Sequence, residues 1–144
     1  MRHFIAAATL LLATPLSAQT MTSVTVQEPF DDIEFAVESA ILNMGLAIDF
    51  ISYTGEMLER TRADVGSEVV LFSGATIYNF CSAAVSRKVL EADPANVMYC
   101  PYSIFVYELP ETPGEVVIGH QTYPGASMAP ANALLDEIIA NATQ

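Results

Sequence analysis

Apolar residues recur along the chain either every three or four residues or at every second residue. The first spacing predicts helices and the second predicts strands. Between Asp31 and Gly45, and again after Pro130, they recur every three or four residues, as on the buried face of a helix. Between Val97 and Glu108 successive side chains are expected to point to opposite faces, as in a strand. The two helical stripes consist of Ile33, Val37, Ala40, Ile41 and Met44, and of Leu134, Leu135, Ile138 and Ile139.

The full pattern alternates strands with helices. Strands are predicted at 24–27, 46–51, 68–80, 97–108 and 115–120, and helices at 31–45, 54–66, 81–92 and after 130. Asp31 and Thr54 are the predicted N-caps of the first two helices, and Gly45 and Gly66 their predicted ends. The turn at 109–114 joins the last two strands as a hairpin. This order predicts an α+β fold with helices packed on one face of an antiparallel sheet.

The N-terminal 18 residues have the layout of a secretory signal peptide. Arg2 precedes an apolar run from Phe4 to about Leu12, and small residues follow at Ser17 and Ala18. The run is too short to span a bilayer, which takes roughly 20 apolar residues. We expect cleavage after Ala18, no membrane insertion of the remaining chain, and a single domain over residues 19–144 in the periplasm or outside the cell.

The charge balance excludes one class of partner. The chain has a net charge of −12, and removing Arg2 with the signal peptide leaves four basic residues against 17 acidic ones, or −13. Binding to nucleic acid depends on lysines and arginines that neutralise phosphates. We therefore expect no nucleic-acid partner, and we interpret the acidity as a source of solubility.

The only two cysteines, Cys81 and Cys100, allow three interpretations. Cys81 is predicted to open the third helix and to face the sheet, and Cys100 to lie on the face of the next strand that this helix covers. In an oxidising compartment the pair can form a disulfide. The two residues can instead be separate, reduced, buried thiols. They can also be a functional pair.

A functional pair would involve soft-metal or thiol-redox chemistry. Met98 shares a predicted strand face with Cys100, and His120 is the single histidine left after signal removal. Thiolate, thioether and imidazole ligands from Cys81, Met98, Cys100 and His120 would suit Cu(I). The CxxC spacing typical of redox enzymes and zinc ribbons is absent from the sequence.

Signatures of catalysis are also absent from the sequence. It contains no G-x-S-x-G, no GxGxxG and no GxxxxGK, and a hydrolase would have only His120 as a histidine base. We therefore predict no catalytic residues and no cofactor, copper being the alternative. Four aromatic residues are a candidate pocket for an apolar ligand: Tyr99, Tyr102, Phe105 and Tyr107.

Several short segments resemble the DUF302 domain family. They are Gly45-Leu46, Phe80-Cys81-Ser82-Ala83, Asp93-Pro94, Cys100-Pro101 and Val106-Tyr107-Glu108, and the resemblance extends from about Thr25 to Tyr123. It implies a TBP-like β-α-β(4)-α arrangement that is dimeric in some members, without implying an activity. Many relatives carry proline before the second cysteine, whereas here Pro101 follows Cys100.

Two functional hypotheses follow. The first is an exported, non-enzymatic domain that binds a small ligand or a protein partner, including a second copy of itself through a strand edge. The alternative is a soft-metal or thiol-redox protein that uses Cys81 and Cys100.

Overall fold

A computed structural model describes residues 20–144, so the predicted signal peptide, residues 1–18, lies outside the described residues. Five strands form one sheet: β1 (Met21–Gln27), β2 (Ala47–Ser52), β3 (Gly74–Cys81), β4 (Tyr102–Glu108) and β5 (Glu115–Gln121). Their order across the sheet is β1-β5-β4-β3-β2, and every neighbouring pair is antiparallel. β4 is therefore the central strand, and β1 and β2 are the two edges.

Four α-helices accompany the sheet: α1 (Phe30–Asn43), α2 (Thr54–Thr61), α3 (Ala83–Ala92) and α4 (Ala129–Ala142). The predicted class, α+β with an antiparallel sheet and helices, is confirmed. α1 links the two edge strands, and α4 follows β5 and packs against α1. The arrangement β-α-β(4)-α is thus present, with α2 inserted after β2 and α3 inserted after β3.

The core lies between the sheet and the predicted helical stripes. Val37 and Ile41 of α1 and Leu135 and Ile138 of α4 are completely buried. On the sheet, the residues that face them include Phe80, Tyr102, Ile104, Val106, Val116 and Ile118, each with no exposed surface. Burying a side chain of this size stabilises the fold by roughly 1.5–3 kcal/mol, so these two stripes largely decide where the helices pack.

Two predicted strands are too long. β3 begins at Gly74 rather than at residue 68, and in the segment before it Arg62 donates a hydrogen bond to the Glu68 carbonyl. β4 begins at Tyr102 rather than at residue 97, because Pro94 opens a 3₁₀ helix, Pro94–Tyr99. The side chain of Asp93 caps that turn by accepting a hydrogen bond from the Ala95 amide.

Three predicted helix starts are also wrong. Helix α3 begins after Ser82, whose hydroxyl accepts a hydrogen bond from the Val85 amide, so Cys81 is the last residue of β3. Helix α1 begins at Phe30 behind Pro29, and Asp31 lies in its first turn instead of capping it. Thr54 is the first residue of α2, and the preceding Tyr53 makes no side-chain cap.

The helices cover one face of the sheet, and we call the other the open face. Strand pairing places these residues on it, side by side across the strands: Met21, Ser23, Thr25, Phe50, Ser52, Ala75, Ile77, Asn79, Ser103, Phe105, Tyr107, Val117, Gly119 and Gln121. None of these residues is charged, but the same alternation places Gln27 and the exposed carboxylate of Glu115 on this face at its edge. Within residues 20–144, no helix is both long enough and apolar enough to cross a bilayer.

Glycine at position 119 lets an aromatic ring lie against the open face. A Cβ at Gly119 would stand 2.4 Å from Cζ of Phe105 and 2.7 Å from the Thr22 carbonyl oxygen. Because that oxygen belongs to the neighbouring strand, it cannot move aside easily. We expect Gly119→Ala to lower the free energy of unfolding by about 1–3 kcal/mol, measured by urea denaturation. Ser23→Ala, directly opposite on β1, is the control and should change it by less than about 0.5 kcal/mol.

Candidate functional site

Three aromatic rings form an array on the open face, which we call the aromatic platform: Phe72, Phe105 and Tyr107. The rings of Phe105 and Tyr107 stack with centroids 6.0 Å apart, and the Phe72 ring meets Tyr107 edge to face at 5.7 Å. Phe72 comes from the segment before β3, and the other two rings come from the central strand. Because each ring contacts another, the platform is ordered before anything binds to it.

A shallow cavity of about 320 Å³ lies beside this platform. Met21 and Ile77 are among the residues that line it, together with the three rings. Cavities of this size are at the lower limit of those that hold small ligands. The cavity is wide open to solvent, so a partner has to cover it before its contents are shielded from water.

The four aromatic residues predicted as a pocket lie in two places. Phe105 and Tyr107 are on the open face, whereas Tyr102 is completely buried on the helix-covered side. Tyr99 lies in the 3₁₀ helix before Pro101, and its ring packs on Tyr123 at 4.9 Å. The open face therefore contains half of the predicted set.

A second cluster lies at one end of the sheet and contains both cysteines. Cys81 ends β3, Cys100 stands two residues before the start of β4, and both are partly exposed free thiols. The Ser86 hydroxyl of α3 lies 3.6 Å from Cys100 Sγ and donates a hydrogen bond of 3.3 Å to Tyr102 Oη. The structure thus brings the two sulfur atoms to one site, together with hydroxyl groups.

The environment of this cluster favours uncharged side chains. Burial, the Cys100 thiol and the Asp49 carboxylate together raise the pKa of Cys81 to about 11, against a smaller opposing effect of the Tyr102 backbone. Burial likewise raises the pKa of Tyr102 to about 12. A reactive cysteine needs the thiolate form near neutral pH, so Cys81 does not have the properties of a catalytic nucleophile.

Met98 and His120, the other two residues of the predicted copper site, lie in different environments from the cysteines and from each other. Met98 is 73% exposed on the 3₁₀ helix. His120 is completely buried, with Nδ1 2.9 Å from the Gln121 carbonyl oxygen and Nε2 2.9 Å from Asp136 Oδ1. Both of its nitrogens are therefore occupied. Among residues 20–144, no three His, Cys, Asp or Glu side chains are grouped so that they could hold a metal ion.

Comparison with known families identifies the chain. The sequence profile described as "Domain of unknown function DUF302" matches residues 22–144. The chain belongs to the DUF302 family. The resemblance predicted from the short segments is therefore confirmed, and the matched region includes the cysteine cluster and all of the open face except Met21. Comparison with curated proteins gives no match.

A solved structure has the same fold as this DUF302 chain. The crystal structure of an uncharacterised conserved DUF302 protein from Bacillus stearothermophilus superposes with a TM-score of 0.68 at 15% sequence identity. The alignment covers 88% of this chain and all of the other chain. At this identity the likeness establishes the shared fold alone.

Three residues of these sites in the DUF302 chain were not identified from the sequence. Phe72 was assigned to the interior of a long strand, Ser86 was one small polar residue of a helix, and Tyr123 was placed in a loop. Tyr123 is held by Asn132, which bonds both its amide and its carbonyl group. Nothing in the local pattern predicts that pairing, because it joins a loop to a helix nine residues away.

Proposed function

We propose that this DUF302 protein is an exported, non-enzymatic binding domain whose open face binds a second copy of the same chain. The observation that carries the proposal is the open face itself, whose centre is apolar and uncharged on a strongly acidic protein. A monomer rarely leaves a contiguous apolar patch of several hundred Å² in water unless something binds there. The proposal thus places the dimer contact on this sheet face, whereas the sequence analysis expected a strand edge.

Charge favours this face as the contact between identical copies. With 17 acidic residues against four basic ones after removal of the signal peptide, two copies repel each other over most orientations, and like charges placed opposite one another cost several kcal/mol. The centre of the open face reduces that repulsion because the paired residues around Ile77, Phe105 and Gly119 are uncharged. A strongly basic partner would instead be attracted to the acidic remainder of the surface.

The open face is large enough for a specific dimer. Five strands spaced about 4.8 Å apart, and roughly seven residues long at about 3.3 Å each, give a face of about 550 Å². Two such faces bury about 1,100 Å² in total, above the limit of about 1,000 Å² expected for a biological interface. Two sheets packed face to face would lie about 10 Å apart.

The aromatic platform supplies the anchors that such an interface needs. Binding energy is concentrated in a few residues, often aromatic ones, near the centre of an interface. Phe105 lies on the central strand, and its ring is held against Gly119 and Tyr107. Because these rings are already ordered, little side-chain entropy is lost when a partner covers them.

The cysteine and histidine environments support a function without catalysis. The single histidine among the described residues is buried in hydrogen bonds to Gln121 and Asp136. The raised pKa of Cys81 keeps that thiol protonated near neutral pH. A base and a nucleophile within reach of each other are the minimum for acyl-transfer chemistry, and neither group is free for that role.

Ile77→Glu tests the dimer. Ile77 lies next to Phe105 across β3 and β4, so the substitution places a carboxylate near the middle of the contact in both copies. We expect wild-type protein to sediment with twice the mass of one chain. The variant should self-associate at least about 100-fold more weakly, since a buried unpaired charge costs several kcal/mol.

Phe35→Glu is the matched control. Phe35 is 73% exposed on α1 and therefore lies outside the open face, so its replacement should leave the dimer intact. A wild-type protein that remains monomeric at about 100 μM would contradict the proposal. So would an Ile77→Glu variant that is folded by circular dichroism and still dimeric.

Export is tested independently. The proposal rests on the layout of residues 1–18, and it predicts that protein produced in bacterial cells is recovered from the periplasm beginning at Gln19. N-terminal sequencing of the periplasmic fraction measures this directly. Protein recovered in the cytoplasm with Met1 retained would contradict export and leave the dimer proposal untouched.

A further inference from the structure

A cleft lies where the first turns of α1 and α2 approach the start of β3, and we call it the acidic cleft. Its volume is about 540 Å³, within the range of roughly 300–1,000 Å³ that is typical of sites for small ligands. One wall comes from α1, the other from α2, and residues 72–76 form the floor. At Gly55 a Cβ would stand 2.7 Å from the backbone nitrogen of Ala75, so the missing side chain lets α2 lie directly against the floor.

The walls of the acidic cleft carry only negative charge. Asp31 and Glu34 line it from α1, and Glu56 and Glu59 line it from α2. Residues three apart lie on the same face of a helix. Glu59 forms a salt bridge of 3.0 Å with Arg62, whereas no basic residue between 20 and 144 forms one with the other three carboxylates. A ligand in the cleft therefore meets three uncompensated negative charges.

Helix stability explains two of these charges but not the third. Asp31 and Glu56 lie in the first turns of their helices, where the free amide groups stabilise a carboxylate. Glu34 lies beyond the first turn of α1 and is partly buried. A partly buried carboxylate without a partner lowers stability, so its position is better explained by a cation that binds there.

Thr76 is a second, independent sign of a ligand. Side chains alternate along β3, so Thr76 points away from the open face, where Ala75 and Ile77 lie, and it is only 3% exposed at the floor of the cleft. Its hydroxyl forms no hydrogen bond with any residue from 20 to 144, yet no completely buried side-chain oxygen in that range lacks a partner. The hydroxyl oxygen therefore opens into the cleft, where it can accept a hydrogen bond from a bound donor.

The spacing of the carboxylates indicates which kind of cation fits. Among residues 20–144, no three His, Cys, Asp or Glu side chains are grouped so that they could hold a metal ion. A single small ion therefore cannot contact all three free carboxylates, whereas a linear amine carries its ammonium groups apart on a methylene chain. Phe30, Tyr53 and Phe72 line the same cleft, and aromatic rings attract ammonium groups and pack against methylene groups.

We propose that the acidic cleft is a binding site for a linear organic polyamine. The ammonium groups pair with Asp31, Glu34 and Glu56, and one of them donates a hydrogen bond to the hydroxyl of Thr76. The methylene chain lies against the aromatic side chains. This site is additional to the dimer contact on the open face.

Isothermal titration calorimetry with spermidine, a linear triamine, tests the site. Purified protein should bind one spermidine per chain with a dissociation constant below about 100 μM at about 50 mM NaCl. The double variant Glu34→Gln, Glu56→Gln should bind at least about 30-fold more weakly, because it loses two charge-assisted hydrogen bonds. Thr76→Val keeps the shape of the floor without the hydroxyl and should bind about 5-fold more weakly.

The matched control is the double variant Glu111→Gln, Glu137→Gln. It removes the same charge from two exposed positions outside the cleft and should weaken binding less than about 3-fold, since distant charges are screened by salt. Circular dichroism of each variant confirms that it is folded. None of the substituted residues lies on the open face, so these titrations and the sedimentation of Ile77→Glu test separate proposals.

Four results would overturn the polyamine site. The first is the absence of saturable binding up to about 10 mM spermidine. Equal weakening in the two double variants would mean that spermidine responds only to net charge. An unchanged affinity of Thr76→Val would place the bound amine elsewhere on the acidic surface. Displacement of spermidine by an equal concentration of Mg²⁺ would indicate a site for divalent ions instead.

Discussion

Replacing His120 with alanine should lower the free energy of unfolding by about 2–4 kcal/mol, since it removes a completely buried ring together with both of its hydrogen bonds. This change is large against a total stability of about 5–15 kcal/mol for a typical domain. Urea denaturation of the variant and of wild-type protein measures it.

The physical reason lies in what faces each ring nitrogen. Nδ1 meets the Gln121 carbonyl oxygen and Nε2 meets a carboxylate oxygen of Asp136, and both oxygens only accept hydrogen bonds. Since Asp136 belongs to α4 and His120 to β5, the pair fastens the last helix to the sheet.

Asp136→Ala removes the hydrogen bond to Nε2 of His120 but keeps the imidazole ring. It therefore measures the contribution of that bond to stability apart from the contribution of the buried ring. It leaves His120 in place with Nε2 unpaired, and we expect a smaller loss of about 1–2 kcal/mol, because the Asp136 side chain is 56% exposed and water can replace part of the bond. Adding His120→Ala to this variant should then lower the free energy of unfolding by less than the same substitution does in wild-type protein. Strictly additive losses would show that the two residues are not coupled.

The spacing of apolar residues predicted the helices best where a helix packs a single apolar face against the core. The stripes of α1 and α4 have a single apolar face, so helical spacing identified both their existence and their buried residues. α2 has no buried residue, and its predicted extent, residues 54–66, is the least accurate of the four. Without burial, only local cap signals remained to place its ends.

The face of the central strand that the helices cover was predicted, but not that the opposite face is left uncovered, because this strand is apolar on both sides. On β4, Tyr102, Ile104 and Val106 face the helices, whereas Phe105 and Tyr107 point away from them. Period-two alternation separates the two faces but does not tell whether the second face is covered as well. That information lies in the crossover of α1 between the edge strands, which is a property of the whole chain.

The cysteine site was predicted for a partly mistaken reason. Cys81 was assigned to the start of a helix, yet it is the last residue of a strand, because the hydroxyl of Ser82 caps α3 one residue later. Cys81 and Cys100 still lie at the same end of the sheet, since the last pair of β3 and β4 is Phe80 with Tyr102. His120 could not be excluded as a ligand from sequence, because its partner Asp136 lies 16 residues away.

In reduced, folded protein near pH 7, Cys81 should react with iodoacetamide about 100-fold more slowly than in the unfolded chain. Burial, the Cys100 thiol and the Asp49 carboxylate raise its pKa from 9.0 to about 11. Only the thiolate reacts, and two pKa units correspond to about a 100-fold smaller thiolate fraction. The folded rate should therefore rise about ten-fold per pH unit and keep rising beyond pH 9, where the unfolded rate levels off.

Peptide mapping measures Cys81 separately, because Arg87 and Lys88 place the two cysteines on different tryptic peptides. Cys100→Ser removes a group that raises the pKa and should speed the reaction of Cys81 near pH 7, and Asp49→Asn should do so to a smaller extent. A folded rate that is lower by the same factor at every pH would instead mean that the sulfur is sterically shielded. In that case the resistance of Cys81 to modification would come from limited access and not from the raised pKa that burial and the neighbouring Cys100 thiol produce.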